Sequence, residues 1–153
     1  EPDLTIKAIG YQWYWGYEYP DNGNFSYEAF MVQSEDELEE DKPFKRMLTT
    51  DTKVVVPVNK IIRMQITAAD VLHSWAVPAF GVKKDAVPGR LNETWFKPEK
   101  TGIFYGMCSE LCGVNHQSMP IEIHVVTEQE FNDWVEESKL KYAAKNNLIA
   151  NKK

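Results

Sequence analysis

The sequence has few cysteines and no long hydrophobic run. Only Cys108 and Cys112 occur among 153 residues, too few for the disulfide framework of a small secreted scaffold. No apolar stretch approaches the roughly 20 residues that span a bilayer, and the mean hydropathy is −0.45. No charged-then-apolar signal segment opens the chain. We therefore expect a soluble segment. Because it begins with Glu1 and Pro2 rather than with Met, we also expect it to be trimmed from a longer chain.

Positive charge is also scarce. The chain has 17 Lys and Arg against 23 Asp and Glu, a net charge of −6. This balance argues against a nucleic-acid-binding protein, whose affinity comes from neutralising phosphates. Five of the lysines follow Ser138 with no acid among them, so the rest of the chain is more acidic than the total suggests. An acidic surface favours a basic partner.

Length and composition predict a single globular domain. A chain of 153 residues that is 43% hydrophobic and 26% charged is large enough to bury one core. We place this domain at residues 1–142, including a C-terminal helix, and a flexible tail rich in Lys and Asn at residues 143–153.

Hydrophobic periodicity predicts an all-β fold. Every odd position from residue 9 to 19 is large and apolar or aromatic, which predicts one strand, and residues 25–32 follow a turn as its hairpin partner. Similar patterns predict strands at residues 53–58, 61–67, 91–96, 103–107 and 120–126. Many short strands with Pro and Gly turns indicate a sandwich or barrel.

Two other segments have a distinct character. Thr127 and Glu130 form a capping box that predicts the start of one C-terminal helix, with Phe131, Trp134 and Val135 at helical spacing. Residues 35–41 are strongly acidic, which is typical of a solvated loop or short exposed helix.

Residues 108–119 concentrate the side chains that bind soft metals. Cys108, Cys112, His116 and Met119 lie within twelve residues, and Cys, His and Met are the ligands of copper electron-transfer sites. The loop joins two predicted strands, so a rigid scaffold holds both of its ends. His73 is the obvious source of a second imidazole. Two thiolates in one loop can bridge two coppers.

Three other interpretations of these residues remain open. Cys108 and Cys112 can form a disulfide. Together with His73 and His116 they also make a Cys₂His₂ ligand set that could bind zinc, although zinc seldom takes a thioether such as Met119. A nucleophilic cysteine activated by histidine is a further option, but no third orienting residue stands out. His73 alone is also compatible with a core histidine, and we take His124 as a surface residue.

Four segments, in the same order, resemble subunit II of cytochrome c oxidase. They are Cys-x-Glu-x-Cys-Gly-x-x-His-x-x-Met at residues 108–119, Asp-Val-Leu-His-Ser-Trp at 70–75, Asp-Ala-Val-Pro-Gly-Arg at 85–90 and Tyr-Gln-Trp-Tyr-Trp at 11–15. The resemblance runs from about residue 4 to residue 134. It implies the water-exposed dinuclear-copper (CuA) domain of that subunit, without its two N-terminal membrane helices. The implied fold is a cupredoxin-like Greek-key β-sandwich or barrel with one C-terminal α-helix.

The resemblance also implies the ligands of the copper pair. Cys108 and Cys112 would bridge the coppers, with Met119 as a weak axial ligand and Glu110 binding through its backbone carbonyl. The imidazole ligands would be His73 and His116. The Glu110 side chain would reach a magnesium ion at the contact with the catalytic subunit. Asp85 and Arg90 would lie near the same interface.

The implied function is electron transfer within an oxidoreductase. Electrons from reduced cytochrome c would enter at Trp13 and pass through the copper centre to the haem of subunit I, which reduces oxygen to water. The acids Glu18, Asp51 and Asp70 would meet the lysines of cytochrome c. The isolated domain would be an electron carrier without turnover of its own.

The implied location and the rival functions complete the expectations. The domain would lie on the periplasmic side of the bacterial inner membrane or the intermembrane-space side of the mitochondrial one, held to the membrane only through the missing helices. The rival functions are the CuA domain of a nitrous oxide reductase-like enzyme and a structural zinc-binding module. Met107 stands where the family most often has Gln, and we interpret it as a strand-end packing residue.

Overall fold

The protein is a two-sheet β-sandwich with one helix. The computed structural model describes residues 1–108 and 119–150, with side chains as far as residue 142. Within these ranges the chain forms ten strands and one α-helix: β1 (Leu4–Tyr11), β2 (Tyr14–Tyr19), β3 (Phe25–Ala29), β4 (Val54–Pro57), β5 (Ile62–Ala68), β6 (His73–Val77), β7 (Val82–Ala86), β8 (Asn92–Phe96), β9 (Gly102–Cys108), β10 (Pro120–Val126) and α1 (Glu128–Ala150). The predicted all-β fold with a C-terminal helix is confirmed. No helix in the described ranges is both long and apolar enough to cross a membrane.

The strands divide into two sheets of five. One sheet has the order β3-β2-β1-β5-β8 and the other the order β4-β10-β9-β6-β7. β1 pairs with β5 in parallel, and β4 pairs with β10 in parallel, whereas the other pairings are antiparallel. The core lies between the sheets, where aliphatic and aromatic side chains from both inner faces pack together.

The prediction of a single strand over residues 9–19 is wrong. The segment is a tight hairpin in which Tyr11 at the end of β1 lies opposite Tyr14 at the start of β2. The turn contains Gln12 and Trp13, joined by a cis peptide bond, and has none of the Gly, Pro or Asn residues that usually signal a turn. Even-numbered side chains therefore face the core in β1, whereas odd-numbered ones do so in β2. Trp15 of β2 is fully buried, whereas Ile9 of β1 is only half-buried.

Two strands beside the candidate site were not predicted. All five residues of β6 are buried, and β7 contains Lys83, Lys84 and Asp85. In the sequence, neither strand alternates between apolar and polar residues: β6 reads His-Ser-Trp-Ala-Val and β7 reads Val-Lys-Lys-Asp-Ala, so periodicity does not reveal them. β6 pairs with β7 on one side and with the end of β9 on the other, where Trp75 lies opposite Cys108.

Helix α1 closes one side of the sandwich. The capping box is confirmed, because the Glu130 amide donates to Thr127 Oγ1 at 3.2 Å and the Thr127 hydroxyl lies 2.9 Å from Glu130 Oε1. Phe131 is buried, and the Trp134 ring makes an edge contact with Tyr19 at 5.0 Å between centroids. The helix contacts β3 and β4, which are the edge strands of the two sheets. It therefore covers the open side between them.

A buried ionic cluster holds the segment that follows the acidic residues 35–41 against β10. Lys42 Nζ lies 2.7 Å from Glu122 Oε2, and the two side chains are only 4% and 0% exposed. His124 Nε2 lies 2.6 Å from the same carboxylate, with its side chain 13% exposed. The prediction of a surface position for His124 is therefore wrong. Glu122 and His124 face away from the core, but the segment around Lys42 covers them.

Candidate metal centre

His73, the first residue of β6, is held in a fixed orientation. Its side chain is fully buried, and its Nε2 lies 2.9 Å from Asp70 Oδ1. Because a carboxylate only accepts hydrogen bonds, Nε2 carries the hydrogen in this contact. The same carboxylate accepts the amide hydrogens of Val71 at 2.6 Å and Gln12 at 2.7 Å. Asp70 thus fixes His73 relative to both the strand start and the β1–β2 turn.

Cys108 and Met119 lie at neighbouring strand ends. Cys108 ends β9 and Met119 precedes β10, and the Cys108 amide donates to the Met119 carbonyl at 3.3 Å. Both side chains are buried. The Ser74 amide points at Cys108 Sγ at 3.5 Å. Three of the predicted copper ligands therefore converge where β6, β9 and β10 end or begin.

The charges around His73 and Asp70 are coupled. Burial lowers the pKa of His73, but the neighbouring Cys108 and Asp70 raise it, and the net pKa lies above the ordinary value. Partial burial raises the pKa of Asp70, whereas hydrogen bonds from His73, Gln12 and Val71 lower it, and the net pKa lies below its ordinary value. The carboxylate is therefore ionised at neutral pH and stabilises positive charge at the imidazole.

The residues present fit a soft metal ion. His73 Nδ1 is buried, and because Asp70 holds Nε2, the interaction of the ring with Cys108 falls to Nδ1. Because Nε2 holds the hydrogen, the neutral ring presents the Nδ1 lone pair near the buried Cys108 thiol, and the Met119 thioether is buried at the neighbouring strand end. This donor chemistry suits copper.

The other three predicted ligands are outside the described residues. Glu110, Cys112 and His116 belong to residues 109–118, so their predicted roles stay predictions. Within the described ranges, no three His, Cys, Asp or Glu side chains converge as a metal site. The predicted ligand set draws its second thiolate and second imidazole from residues 109–118.

Trp13 lies in the hairpin turn that Asp70 anchors. Its ring is partly exposed and packs against the core, and its neighbour Gln12 donates its amide hydrogen to Asp70. Trp15, two residues later, is fully buried, with its ring centroid 6.0 Å from that of His73. Of these two tryptophans, only Trp13 has a solvent-facing surface, and its role as the electron entry point stays a prediction.

The predicted docking acids have different surroundings. Asp51 is exposed, and its carboxylate accepts the Phe30 amide hydrogen at 2.8 Å. Glu18 is half-buried on β2, and Asp70 is one-third exposed while it holds His73. Asp70 therefore combines a solvent-facing charge with a structural contact.

An aromatic stack near this surface was not predicted. The Tyr11 and Tyr14 rings stack at 4.7 Å between centroids, and Phe30 stacks on Tyr14 at 4.4 Å. These residues lie on different strands or on a segment that follows one, so their proximity depends on strand pairing. In the sequence, only the aromatic composition of residues 11–15 pointed to such a stack.

Asp85, Arg90 and Met107 lie on the surface. Asp85 is on β7 opposite Ser74, its carbonyl accepts the Asn92 side-chain amide at 2.8 Å, and Arg90 is exposed in the turn before β8. Met107 is 47% exposed, so its interpretation as a packing residue is wrong.

Known sequences resemble this chain over nearly its whole length. Residues 4–126 match the family described as "Cytochrome C oxidase subunit II, periplasmic domain". The chain is 50% identical over 151 residues to the probable cytochrome c oxidase subunit 2 of Rickettsia bellii (strain RML369-C), covering 99% of this chain and 52% of that protein. It is also 50% identical over 154 residues to cytochrome c oxidase subunit 2 of Cereibacter sphaeroides, covering 91% and 50%. The chain spans about half the length of these curated relatives.

Solved structures share the fold. The periplasmic domain of subunit II of cytochrome oxidase from Bradyrhizobium japonicum is 58% identical, with a TM-score of 0.85 over 93% of this chain and 97% of that one. A second structure, a mixed-disulfide intermediate between a thioredoxin-like protein and subunit II of cytochrome c oxidase, is 57% identical, with a TM-score of 0.80 over 93% and 94%.

Proposed function

The chain belongs to the cytochrome c oxidase subunit II family, and from this premise we propose that it is an electron-transfer domain with a dinuclear copper centre. It accepts single electrons from reduced cytochrome c and passes them to the haem of subunit I, where oxygen is reduced to water. The whole protein is then a subunit of an oxidoreductase, and the domain alone is an electron carrier. The match to the subunit II family supports this function over that of a nitrous oxide reductase.

The observation that carries the proposal is the orientation of His73, whose buried Nδ1 is left on the side of Cys108 while Asp70 holds Nε2. The Asp70 carboxylate holds Nε2 and leaves Nδ1 as a metal ligand, and the side chains of His73, Cys108 and Met119 are buried. The proposed ligands of the copper pair are His73, Cys108, Glu110, Cys112, His116 and Met119, with Glu110 acting through its backbone carbonyl.

The described residues give this site a rigid, water-poor environment. When bound, a copper pair supplies one-electron redox chemistry. Burial of His73, Cys108 and Met119 excludes water from their donor atoms. The Ser74 amide, 3.5 Å from Cys108 Sγ, stabilises negative charge on the sulfur, and hydrogen bonding at a cysteine ligand tunes the potential of copper sites.

The electron enters at Trp13. The turn that carries this ring is tied through Gln12 to Asp70, and Asp70 is tied to His73. A cytochrome c docked at this turn is therefore connected through Gln12 and Asp70 to the proposed copper ligand His73. Asp51, Asp70 and Glu18 attract the lysines of cytochrome c, which mainly raises the rate of encounter.

The remaining parts of the proposal concern assembly. Asp85, Arg90 and the Glu110 side chain meet subunit I, and Glu110 contributes to a magnesium site there. The domain lies on the periplasmic side of the bacterial inner membrane, joined to it by N-terminal helices. The bacterial relatives and the periplasmic-domain family model support this location over the mitochondrial one.

Stopped-flow mixing of the copper-loaded domain with reduced cytochrome c tests the proposal. We expect cytochrome c oxidation at the rate of copper reduction, with a second-order rate constant that falls as salt screens the attraction. Asp51→Asn should weaken this salt dependence, whereas Glu136→Gln, an exposed change on α1, should not. Absence of electron transfer at low salt would contradict the proposal.

A second candidate function concerns the cysteine thiols before copper binds. The related subunit II forms a mixed disulfide with a thioredoxin-like protein. In this chain, a Cys108–Cys112 disulfide would be attacked by a thiolate of a dithiol reductant, forming a mixed disulfide and releasing one cysteine thiolate. The second thiol of the reductant then displaces the other cysteine, so the reductant is oxidised by two electrons and both cysteines are reduced.

Copper uptake by the oxidised chain tests this second function. We expect no uptake until a dithiol protein of the thioredoxin type is added, and expect a reductant with one thiol changed to Ser to be trapped on the chain. Full copper uptake by the oxidised chain without reductant would overturn it.

A further inference from the structure

Gly10 lies on β1, in the sheet opposite the one that contains His73, and its backbone faces the His73 ring. It is a buried residue of β1, paired with Trp15 of β2 and with Ala68 of β5. Its carbonyl also accepts the Ala69 amide hydrogen at 2.9 Å. The backbone at Gly10 is therefore fixed from both sides. The residue lacks the positive φ of Gly23, Gly81, Gly89 and Gly102, so backbone conformation does not explain a glycine here.

The lack of room for a side chain explains the glycine at this position. A Cβ at Gly10 would lie 2.7 Å from His73 Cδ2, 2.8 Å from its Cγ and 3.1 Å from its Cβ. Ordinary van der Waals contact begins at 3.4 Å, so the imidazole rests directly on the β1 backbone across the sandwich. A methyl group there would have to displace the ring, because the sheet backbone is held by its neighbours.

The ring is restrained from other directions as well. Asp70 holds Nε2 at 2.9 Å, and the Trp15 ring lies at a centroid distance of 6.0 Å with a tilt of 59°. Asp70 fixes the rotation of the imidazole, whereas Gly10, which has no side chain, fixes how closely the ring approaches the β1 backbone. Together they determine where Nδ1 points.

We infer that Gly10 is a positioning residue for the metal ligand His73, and that its lack of a side chain sets the depth of the imidazole. This inference rests on the proposed copper centre for its functional meaning. The packing itself is a property of the chain without metal.

A double-mutant cycle on the metal-free protein tests the packing. We expect Gly10→Ala to lower the urea midpoint of unfolding. In a His73→Ala background most of that decrease should disappear, because the ring that the methyl group strikes is gone. If Gly10→Ala does not fold, folding of the double variant supports the inference. The inference would be overturned by an equal decrease of the midpoint in both backgrounds. It would also be overturned if His73→Ala folds and the double variant does not.

Copper titration and EPR of the loaded protein test the positioning role. We expect Gly10→Ala to weaken copper binding by about tenfold, as loss of outer-shell support does, and to make the couplings of the two coppers unequal. The matched control is Gly16→Ala, since Gly16 lies opposite Ile9 on the same hairpin, and its Cβ would meet the Tyr11 ring at 3.1 Å and the Ile9 carbonyl oxygen at 3.9 Å but not His73. It should keep the wild-type spectrum.

The two experiments separate failure of the inference from failure of the proposed function. A wild-type spectrum and affinity in Gly10→Ala, or an equal change in Gly16→Ala, would overturn the positioning role while the copper centre stands. A wild-type protein that binds no copper would overturn the proposed function, and the metal-free cycle would still decide whether Gly10 seats His73.

Discussion

The carboxylate of Asp70 lies 2.9 Å from His73 Nε2, through its Oδ1 atom. Its other oxygen accepts the Gln12 amide hydrogen at 2.7 Å, next to the proposed electron entry point, Trp13. One side chain thus connects the entry turn with a proposed copper ligand. Asp70 is also one of the acids predicted to meet cytochrome c, so its charge and its hydrogen bonds have to be tested separately.

Asp70→Ala should impair the copper centre. Without the carboxylate, the His73 ring loses the contact that fixes its tautomer, and losing such outer-shell partners costs about 10- to 100-fold in metal affinity. Competitive copper titration measures the effect. Asp51→Asn removes a predicted docking charge that does not contact His73, so it should slow cytochrome c oxidation at low salt with unchanged copper affinity. Equal copper affinity in Asp70→Ala and wild type would contradict the account.

Changes to the sulfur ligands should have unequal effects. Cys108→Ser should abolish the dinuclear spectrum, because a proposed bridging thiolate is lost. Met119→Leu should keep two coppers with an altered potential, because a weak axial thioether mainly tunes a site. Visible spectra and voltammetry distinguish these results. Exposed Met107→Leu is the matched control and should leave both the spectrum and the potential unchanged. A full dinuclear spectrum in Cys108→Ser would refute the ligand assignment.

Trp13→Ala should slow electron entry without changing the copper spectrum. Truncating an aromatic residue at the centre of an interface typically costs about 2 kcal/mol, so we expect the second-order rate constant for cytochrome c oxidation to fall roughly 10- to 30-fold. Trp95 provides the control, since it is 52% exposed on edge strand β8. Trp95→Ala should react at the wild-type rate. Normal kinetics in Trp13→Ala would move the entry point elsewhere.

Glu122→Gln should destabilise the fold. The change leaves the buried Lys42 ammonium without its carboxylate partner, and breaking a buried ion pair costs about 3–5 kcal/mol. Urea unfolding at neutral pH measures this loss. Glu136→Gln breaks the exposed pair with Lys139 on α1, and surface pairs contribute less than about 1 kcal/mol. Equal stabilities of the two variants would show that the buried pair contributes little.

The same cluster predicts how stability depends on pH. Burial raises the pKa of Glu122, but His124 and Lys42 lower it, and the net pKa lies below its ordinary value. A carboxyl group with a depressed pKa in the folded state contributes stability that is fully present above the unfolded pKa. That contribution is lost as the pH falls through the folded pKa. Unfolding measured from pH 6 downwards should therefore show a steeper loss in wild type than in Glu122→Gln.

The sequence predicts the candidate site better than it predicts the strands beside it. Cys108 and Met119 lie within one twelve-residue segment of the sequence, so their types and spacing already indicate a metal centre. The contact between Ser74 and Cys108, 34 residues apart, depends on the pairing of β6 with β9. β6 is buried along its whole length, and periodicity cannot reveal such a strand.

Other features depend on long-range contacts that no local pattern encodes. Lys42 and Glu122 are 80 residues apart, and nothing in the alternation of β10 shows that its outer face is covered. The β1–β2 hairpin was missed because its turn residues, Gln12 and Trp13, are not typical of turns. The seating of His73 on Gly10 likewise appears only when the two sheets face each other.

The central claim is that this domain carries a dinuclear copper centre. Its most direct test is the metal content of the copper-reconstituted protein, measured by mass spectrometry together with visible and EPR spectra. We predict two coppers per chain, a purple colour and a seven-line hyperfine pattern from one electron shared between the metals. A colourless protein that holds one zinc ion and gives no EPR signal would contradict the account.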